Sequence, residues 1–188
     1  MSRSIGSLLL GTWLLSGCAL LEQPVPKRVV LERDWTRQTV THPAFGYRRY
    51  NHMSPLLFEH MILQGNARDG FAAYDRKSGH EIWKVLVKNG VEGGAAVDGT
   101  QVYFGGNDAQ FYAVDIDTGT VKWTFQVRAQ IIAAPVLAGK LVIFLSGDNT
   151  LYALDRATGT QAWTYKRQEN TSLSIRGGSQ PLLMDNNF

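Results

Sequence analysis

Cysteine is nearly absent from this 188-residue chain, with Cys18 the only one. An intrachain disulfide is therefore impossible, and a zinc site built on several thiolates is excluded. Charge of one sign is scarce too. Nineteen Lys and Arg face sixteen Asp and Glu, for a formal net charge of +3. No stretch gathers five or six like charges, so the electrostatic footprint of a nucleic-acid binder is missing. Long apolar runs are also lacking. The mostly apolar stretch at 5–15 is too short to span a bilayer as a helix. Outside the first 18 residues no window carries a convincing 3.6-residue period. What remains is 44% hydrophobic, with 19 glycines, which fits a globular domain and neither a disordered tail nor a collagen-like fibre.

The first residues read as an address. Arg3 supplies a positive start, residues 5–15 an apolar centre, and Leu15-Ser16-Gly17-Cys18 the exit. That ending resembles the bacterial lipobox. The resemblance implies a signal peptide over 1–17, cleavage before Cys18, and a lipid on that cysteine. Ala19 at the next position implies sorting to the outer membrane, facing the periplasm. A plain secretory signal with an incidental cysteine is the alternative. Processing would leave 18 basic against 16 acidic residues, or +2. Two prolines in three residues, Pro24 and Pro26, make 18–30 an extended tether between lipid and domain.

Repetition is the main signal. Residues 71–83 read FAAYDRKSGHEIW, 111–123 read FYAVDIDTGTVKW, and 151–163 read LYALDRATGTQAW, at a gapless period of 40. Asp75, Asp115 and Asp155 coincide, as do Gly79, Gly119 and Gly159, then Trp83, Trp123 and Trp163. Pro55, Ala95 and Pro135 keep the same step upstream. A period near 40 with short apolar runs and turn signals predicts an all-β propeller of four-stranded antiparallel blades. In the third unit the strands are expected at 134–137, 141–146, 151–155 and 161–167. Turns fall at 138–140 and 147–149.

The repeated residues have structural tasks. An Asp carboxylate can accept from the N–H groups of the turn and from the Ser or Thr hydroxyl three residues on, while Gly supplies positive φ. The Trp can wedge between blades and donate its indole N–H to a carbonyl. Presence in every unit argues against catalysis or metal binding by these Asp residues, because a site is usually singular. His42, His52, His60 and His80 show no metal-ligand spacing.

Regularity breaks in two places. From Trp83 to Ala95 and from Trp123 to Pro135 the distance is 12 residues, but from Trp163 to Pro181 it is 18. The lengthened segment alternates Leu173 and Ile175 with Ser172 and Ser174 and then reaches Arg176. Aliphatic anchors beside a guanidinium suit a protein-binding hot spot, and the period-2 pattern suits strand addition to a partner. A loop folded back to bury Leu173 and Ile175 fits the residues equally well. The other break runs from Trp35 to Pro55, 20 residues, eight beyond the regular 12. This insert is aromatic and basic and is expected to pack across the propeller rim, with contact to a peptide or partner as the alternative. Trp35-Thr36 is expected as the last strand, 31–40, of a blade whose other strands come from the C-terminal end.

The Ala-x-Asp-x-x-Thr-Gly-x-x-x-Trp pattern resembles the tryptophan-docking repeat of quinoprotein propellers. With the lipobox and with Ser172-Leu173-Ser174-Ile175-Arg176-Gly177, the chain resembles the BamB family of outer-membrane lipoproteins. That resemblance implies an eight-bladed propeller and a non-enzymatic scaffold of the outer-membrane β-barrel protein assembly (BAM) complex. It further implies no cofactor, and binding of the periplasmic domains of a BamA-like protein through the 170–178 loop. Leu173, Ser174, Ile175 and Arg176 are the partner-binding candidates. Ile175 departs from the family's Leu, and the acidic residues that complete the family's surface belong to a later blade. Unfolded outer-membrane proteins are the expected clients.

Two other readings share the fold. A quinoprotein dehydrogenase would use pyrroloquinoline quinone and calcium and needs nonrepeated acids and amides on the central funnel. A lipid-anchored interaction module of another role would not depend on Leu173, Ile175 and Arg176. The units run over 54–90, 91–130 and 131–170, with the start of another at 179–188. Closed propellers have four to eight blades. Residues 31–188 thus resemble the N-terminal part of a ring. The expectation is a gene that continues, or a ring completed by another chain.

Overall fold

The computed structural model describes residues 33–39, 52–166 and 180–182. The leader, Cys18 and the tether lie outside the described residues, as do 40–51 and the loop carrying Leu173, Ser174, Ile175 and Arg176. Twelve strands are described. In chain order they are β1 (Leu56–Phe58), β2 (Met61–Asn66), β3 (Gly70–Asp75) and β4 (Glu81–Leu86); β5 (Ala95–Val97), β6 (Gln101–Gly105), β7 (Gln110–Asp115) and β8 (Val121–Gln126); β9 (Val136–Ala138), β10 (Leu141–Leu145), β11 (Thr150–Asp155) and β12 (Gln161–Lys166). They form three four-stranded antiparallel sheets, each a simple meander. This is the arc of a β-propeller.

The first strand of the third blade starts two residues later than its apolar pattern predicts, at Val136 instead of 134. Pro135 has no N–H to give a ladder, so pairing begins after it, as β1 begins after Pro55. Arg33 to Thr39 pairs with no strand among the described residues, and the neighbours expected for Trp35-Thr36 are not among them. It is fixed by side chains instead. Trp35 lies against Gly79, and the Arg37 guanidinium donates to the Gly79 carbonyl at 3.1 Å and sits 5.2 Å from the Tyr74 ring centre.

Every blade has one register shift at the same place. Ala73 faces Trp83 while Tyr74 faces Glu81, so Ile82 is the extra residue; Lys122 and Ala162 are its equivalents. This bulge turns the Trp side chain across the strand pair. The facing Ala73, Ala113 and Ala153 are wholly buried, because the indole occupies the space a longer side chain would need.

Two cores join the blades. One gathers Leu63, Phe71 and Trp83 of the first blade with Val102, Phe104 and Ile116 of the second. The other gathers Tyr103 and Phe111 of the second with Val142, Phe144 and Leu154 of the third. Stacked rings run through both. Phe71 lies 4.2 Å from Phe104, which lies 5.2 Å from Tyr112. The same ladder recurs with Phe111, Phe144 and Tyr152 at 4.0 and 5.4 Å.

Candidate interaction surface

Two kinds of position set the surface: the junctions that hold blades together and the connections that leave one rim. At each junction an Asp organises a turn. Asp75 Oδ1 accepts from the Ser78 N–H and hydroxyl, both at 2.7 Å, and from the Lys77 N–H at 3.1 Å. Asp115 and Asp155 make the same sets with Thr118 and Thr158. The Lys122 ammonium, 3.0 Å away, and the Thr118 hydroxyl and N–H hold the Asp115 carboxyl down at about 2. Ser78 holds Asp75 below the usual carboxylate range, and the Thr158 N–H does so for Asp155. All three are acceptor groups committed to their own turns, not free acids.

The glycine that closes each turn lies under a tryptophan of the neighbouring segment. Gly79, Gly119 and Gly159 have φ of 69°, 71° and 72°. A Cβ added there would come within 2.7, 2.7 and 2.6 Å of the rings of Trp35, Trp83 and Trp123. Those indoles donate to the carbonyls of Arg76, Ile116 and Arg156 at 3.0, 2.8 and 3.0 Å. Trp35 thus takes the docking role on the first blade without being in a strand. Trp163 is half-buried beside Ala138, Ile143 and Ala153. Among the described residues no further turn of this kind meets it.

A polar latch adds to the second junction. The Tyr103 hydroxyl donates to Asp98 at 2.7 Å, and the Arg156 guanidinium of the next blade is 3.7 Å from the same carboxylate. Burial works to raise the Asp98 carboxyl, but hydrogen bonds from Tyr103, Thr100 and Gln101 outweigh it and keep it low. Burial and the Asp98 bond push the Tyr103 phenol up, so it stays a donor.

The connections leave from the rim where β2–β3 and its equivalents turn, since Gly70 faces Leu86, Gln110 faces Gln126 and Thr150 faces Lys166. The first two are stitched down. Val87 N–H donates to Asp69, Val91 to Asn66, and the Asn107 N–H of the next blade to the Gly90 carbonyl, at 2.9, 2.7 and 3.0 Å. The second repeats this with Val127 to Ala109, Ile131 to Gly106 and Gly147 to Gln130, at 2.9, 3.1 and 2.9 Å. The third connection begins after Lys166, whose ammonium lies 3.8 Å from Asp148. Leu173, Ser174, Ile175 and Arg176 belong to it and lie outside the described residues. Among the described residues no group of three or more His, Cys, Asp and Glu could hold a metal. None of their elements is a helix long and apolar enough to cross a membrane, which says nothing of β-barrels.

Residues 68–188 match the family model for the outer membrane protein assembly factor BamB. That stretch covers well over half of the chain and includes two whole repeats and the 170–178 loop. The chain belongs to the BamB family. Among solved structures, BamB from Moraxella catarrhalis is similar at a TM-score of 0.61 and 24% identity, over 74% of this chain and 42% of that one. A quinohemoprotein alcohol dehydrogenase from Pseudomonas putida is similar at 0.54 and 24%, over 62% of this chain and 20% of that one. The computationally designed Ika8 protein reaches 0.60 at 15% identity, over 72% and 40%. At such identities these likenesses speak for the propeller fold alone. No curated protein matches the chain. The chain thus spans about two fifths of the BamB structure it resembles.

The spacing of Asp, Gly and Trp was visible in the sequence. Three features are less evident in it. Trp35 docks at 44 residues from its glycine instead of 36, the difference being the eight-residue insert. The Phe104/Phe144 and Tyr112/Tyr152 columns also repeat at 40 and form the stacked ladders. The column Gly65, Gly105, Leu145 is glycine twice and then leucine.

Proposed function

We propose that this BamB-family chain is a non-enzymatic, lipid-anchored scaffold of the outer-membrane β-barrel protein assembly complex. Cys18 carries the lipid, and the propeller hangs on the periplasmic side of the outer membrane. Leu173 and Ile175 enter an apolar site on the periplasmic domains of a BamA-like protein, with Ser174 between them and Arg176 pairing with acceptors beside it. The scaffold needs no cofactor, and its clients are unfolded outer-membrane proteins. The observation that carries this reading is family membership over a stretch that contains Ser172-Leu173-Ser174-Ile175-Arg176-Gly177, in the one connection that is six residues longer than the others. The repeated acids support a scaffold as well, since each is spent on a turn.

Copurification from native membranes tests it. Arg176→Ala, or Leu173→Asp with Ile175→Asp, is expected to remove the BamA-like protein from the purified complex, since truncating a hot-spot residue costs about 2 kcal/mol or more. Circular dichroism should be unchanged. Full retention of the complex in both variants would refute the assignment of the loop.

A further inference from the structure

One row of side chains crosses β2, β3 and β4 on the side of the first blade where Arg37 covers Tyr74, and its chemistry departs from the repeat. Gln64 faces Ala72, and Ala72 faces Lys84. The equivalent rows are Phe104, Tyr112 and Thr124, then Phe144, Tyr152 and Thr164. In those rows Phe and Tyr stack, and each Phe lies on a Phe of the preceding blade. Gln64 and Ala72 cannot build that ladder. The buried Gln64 amide donates instead to the Met53 and Gly65 carbonyls, at 3.2 and 2.8 Å. The Lys84 ammonium is paired with Asp69.

A cleft of about 540 Å³ opens on this side, lined among others by Arg37, Thr39, Arg68, Asp69, Glu81 and Lys84. Three cationic side chains meet two carboxylates there. Asp69 is held by Lys84. Glu81 lies 3.8 Å from the Arg37 guanidinium, beyond hydrogen-bond reach. Arg37 gives one N–H to the Gly79 carbonyl, out of the five that a guanidinium carries. Trp35 and Arg37, two residues apart, both turn onto the first blade, as alternate side chains of an extended strand do.

We infer that this cleft is the docking site of an extended acidic segment of a partner, which adds as a strand beside residues 33–39 and places a carboxylate between Arg37 and Lys84. The backbone of the segment supplies the strand pairing, and the guanidinium selects the carboxylate by charge-assisted hydrogen bonds. A second copy of the chain fits poorly, on two grounds. An apolar blade face laid here would strip water from the Lys84–Asp69 pair without replacing it. The Trp163 of that copy would need the place over Gly79, which Trp35 already holds.

Calorimetric titration of the full chain reads the site, with a short end-blocked peptide of alternating Thr and Val around a central Glu as the probe. The Glu peptide should bind, its Lys version at least about tenfold more weakly, and added salt should weaken the Glu peptide. Arg37→Gln should weaken the Glu peptide about tenfold and leave a Gln version of the peptide unchanged. If Arg37→Gln disturbs the fold, seen by circular dichroism, Arg68→Gln is read in its place, with a smaller loss expected. No binding of the Glu peptide, or equal binding of the Glu and Lys peptides, would overturn the inference. So would a Glu peptide that binds the folded variant as tightly as it binds the wild type. Sedimentation supplies the remaining outcome: a dimer of the chain that excludes the Glu peptide gives this face to a second copy and overturns the inference as well.

Discussion

At the scale of single residues, a glycine with positive φ beneath an indole tolerates no side chain. Gly119→Ala meets both penalties, a left-handed backbone and a Cβ 2.7 Å from the Trp83 ring. Its expected cost is about 2–3 kcal/mol, read as a lowered urea midpoint with unchanged slope. Trp83→Ala should cost more, about 3–5 kcal/mol, because it empties the junction and strands the Ile116 carbonyl. The opposite sign is expected at Glu59. This exposed residue has φ of 48° in the β1–β2 turn, where the equivalent Gly99 and Gly139 carry no side chain. Glu59→Gly should stabilise by about 0.5–1 kcal/mol, checked by the same titration. The sequence was most legible at this scale. Asp, Gly and Trp repeat because each turn and each junction needs the same three groups.

Among elements, each Asp turn ties the third strand of a blade to its fourth and presents the glycine to its neighbour. The folded Asp115 carboxyl titrates near 2, well below the unfolded value of about 3.9. A folded value below the unfolded one means that the stabilisation is complete above pH 4 and is lost as the pH falls toward 2. Asp75 and Asp155 are shifted in the same direction. Urea midpoints measured from pH 5 to pH 2 should therefore drop through that window, and Asp115→Asn should flatten part of the drop. A wild-type midpoint independent of pH below 4 would contradict the role given to these turns. The second and later strands of each blade were readable from their apolar runs, to within a residue or two. The first strands were not, since Pro55 and Pro135 shift where pairing can begin. Trp35 docks on Gly79 and donates to the Arg76 carbonyl, a contact that the irregular spacing from Trp35 to Gly79 hid from the pattern.

For the whole molecule, the described residues make an arc of three blades whose junctions share the Asp, Gly and Trp arrangement, while the third connection is six residues longer in the sequence. In the scaffold proposed above, the repeated residues serve structure, and recognition is assigned to the place where the repeat fails. The architecture was legible because a 40-residue period leaves few alternatives. The proposed recognition segment was legible only as an irregularity in length and composition, since loop chemistry does not follow from the period. Direct calorimetric titration of the purified chain into the periplasmic domains of the BamA-like protein tests the central claim most plainly. Saturable 1:1 binding that disappears with Arg176→Ala and with the Leu173→Asp, Ile175→Asp pair is the expected result. Absence of binding by the wild-type chain, or equal binding by all three proteins, would contradict the scaffold role assigned to this loop.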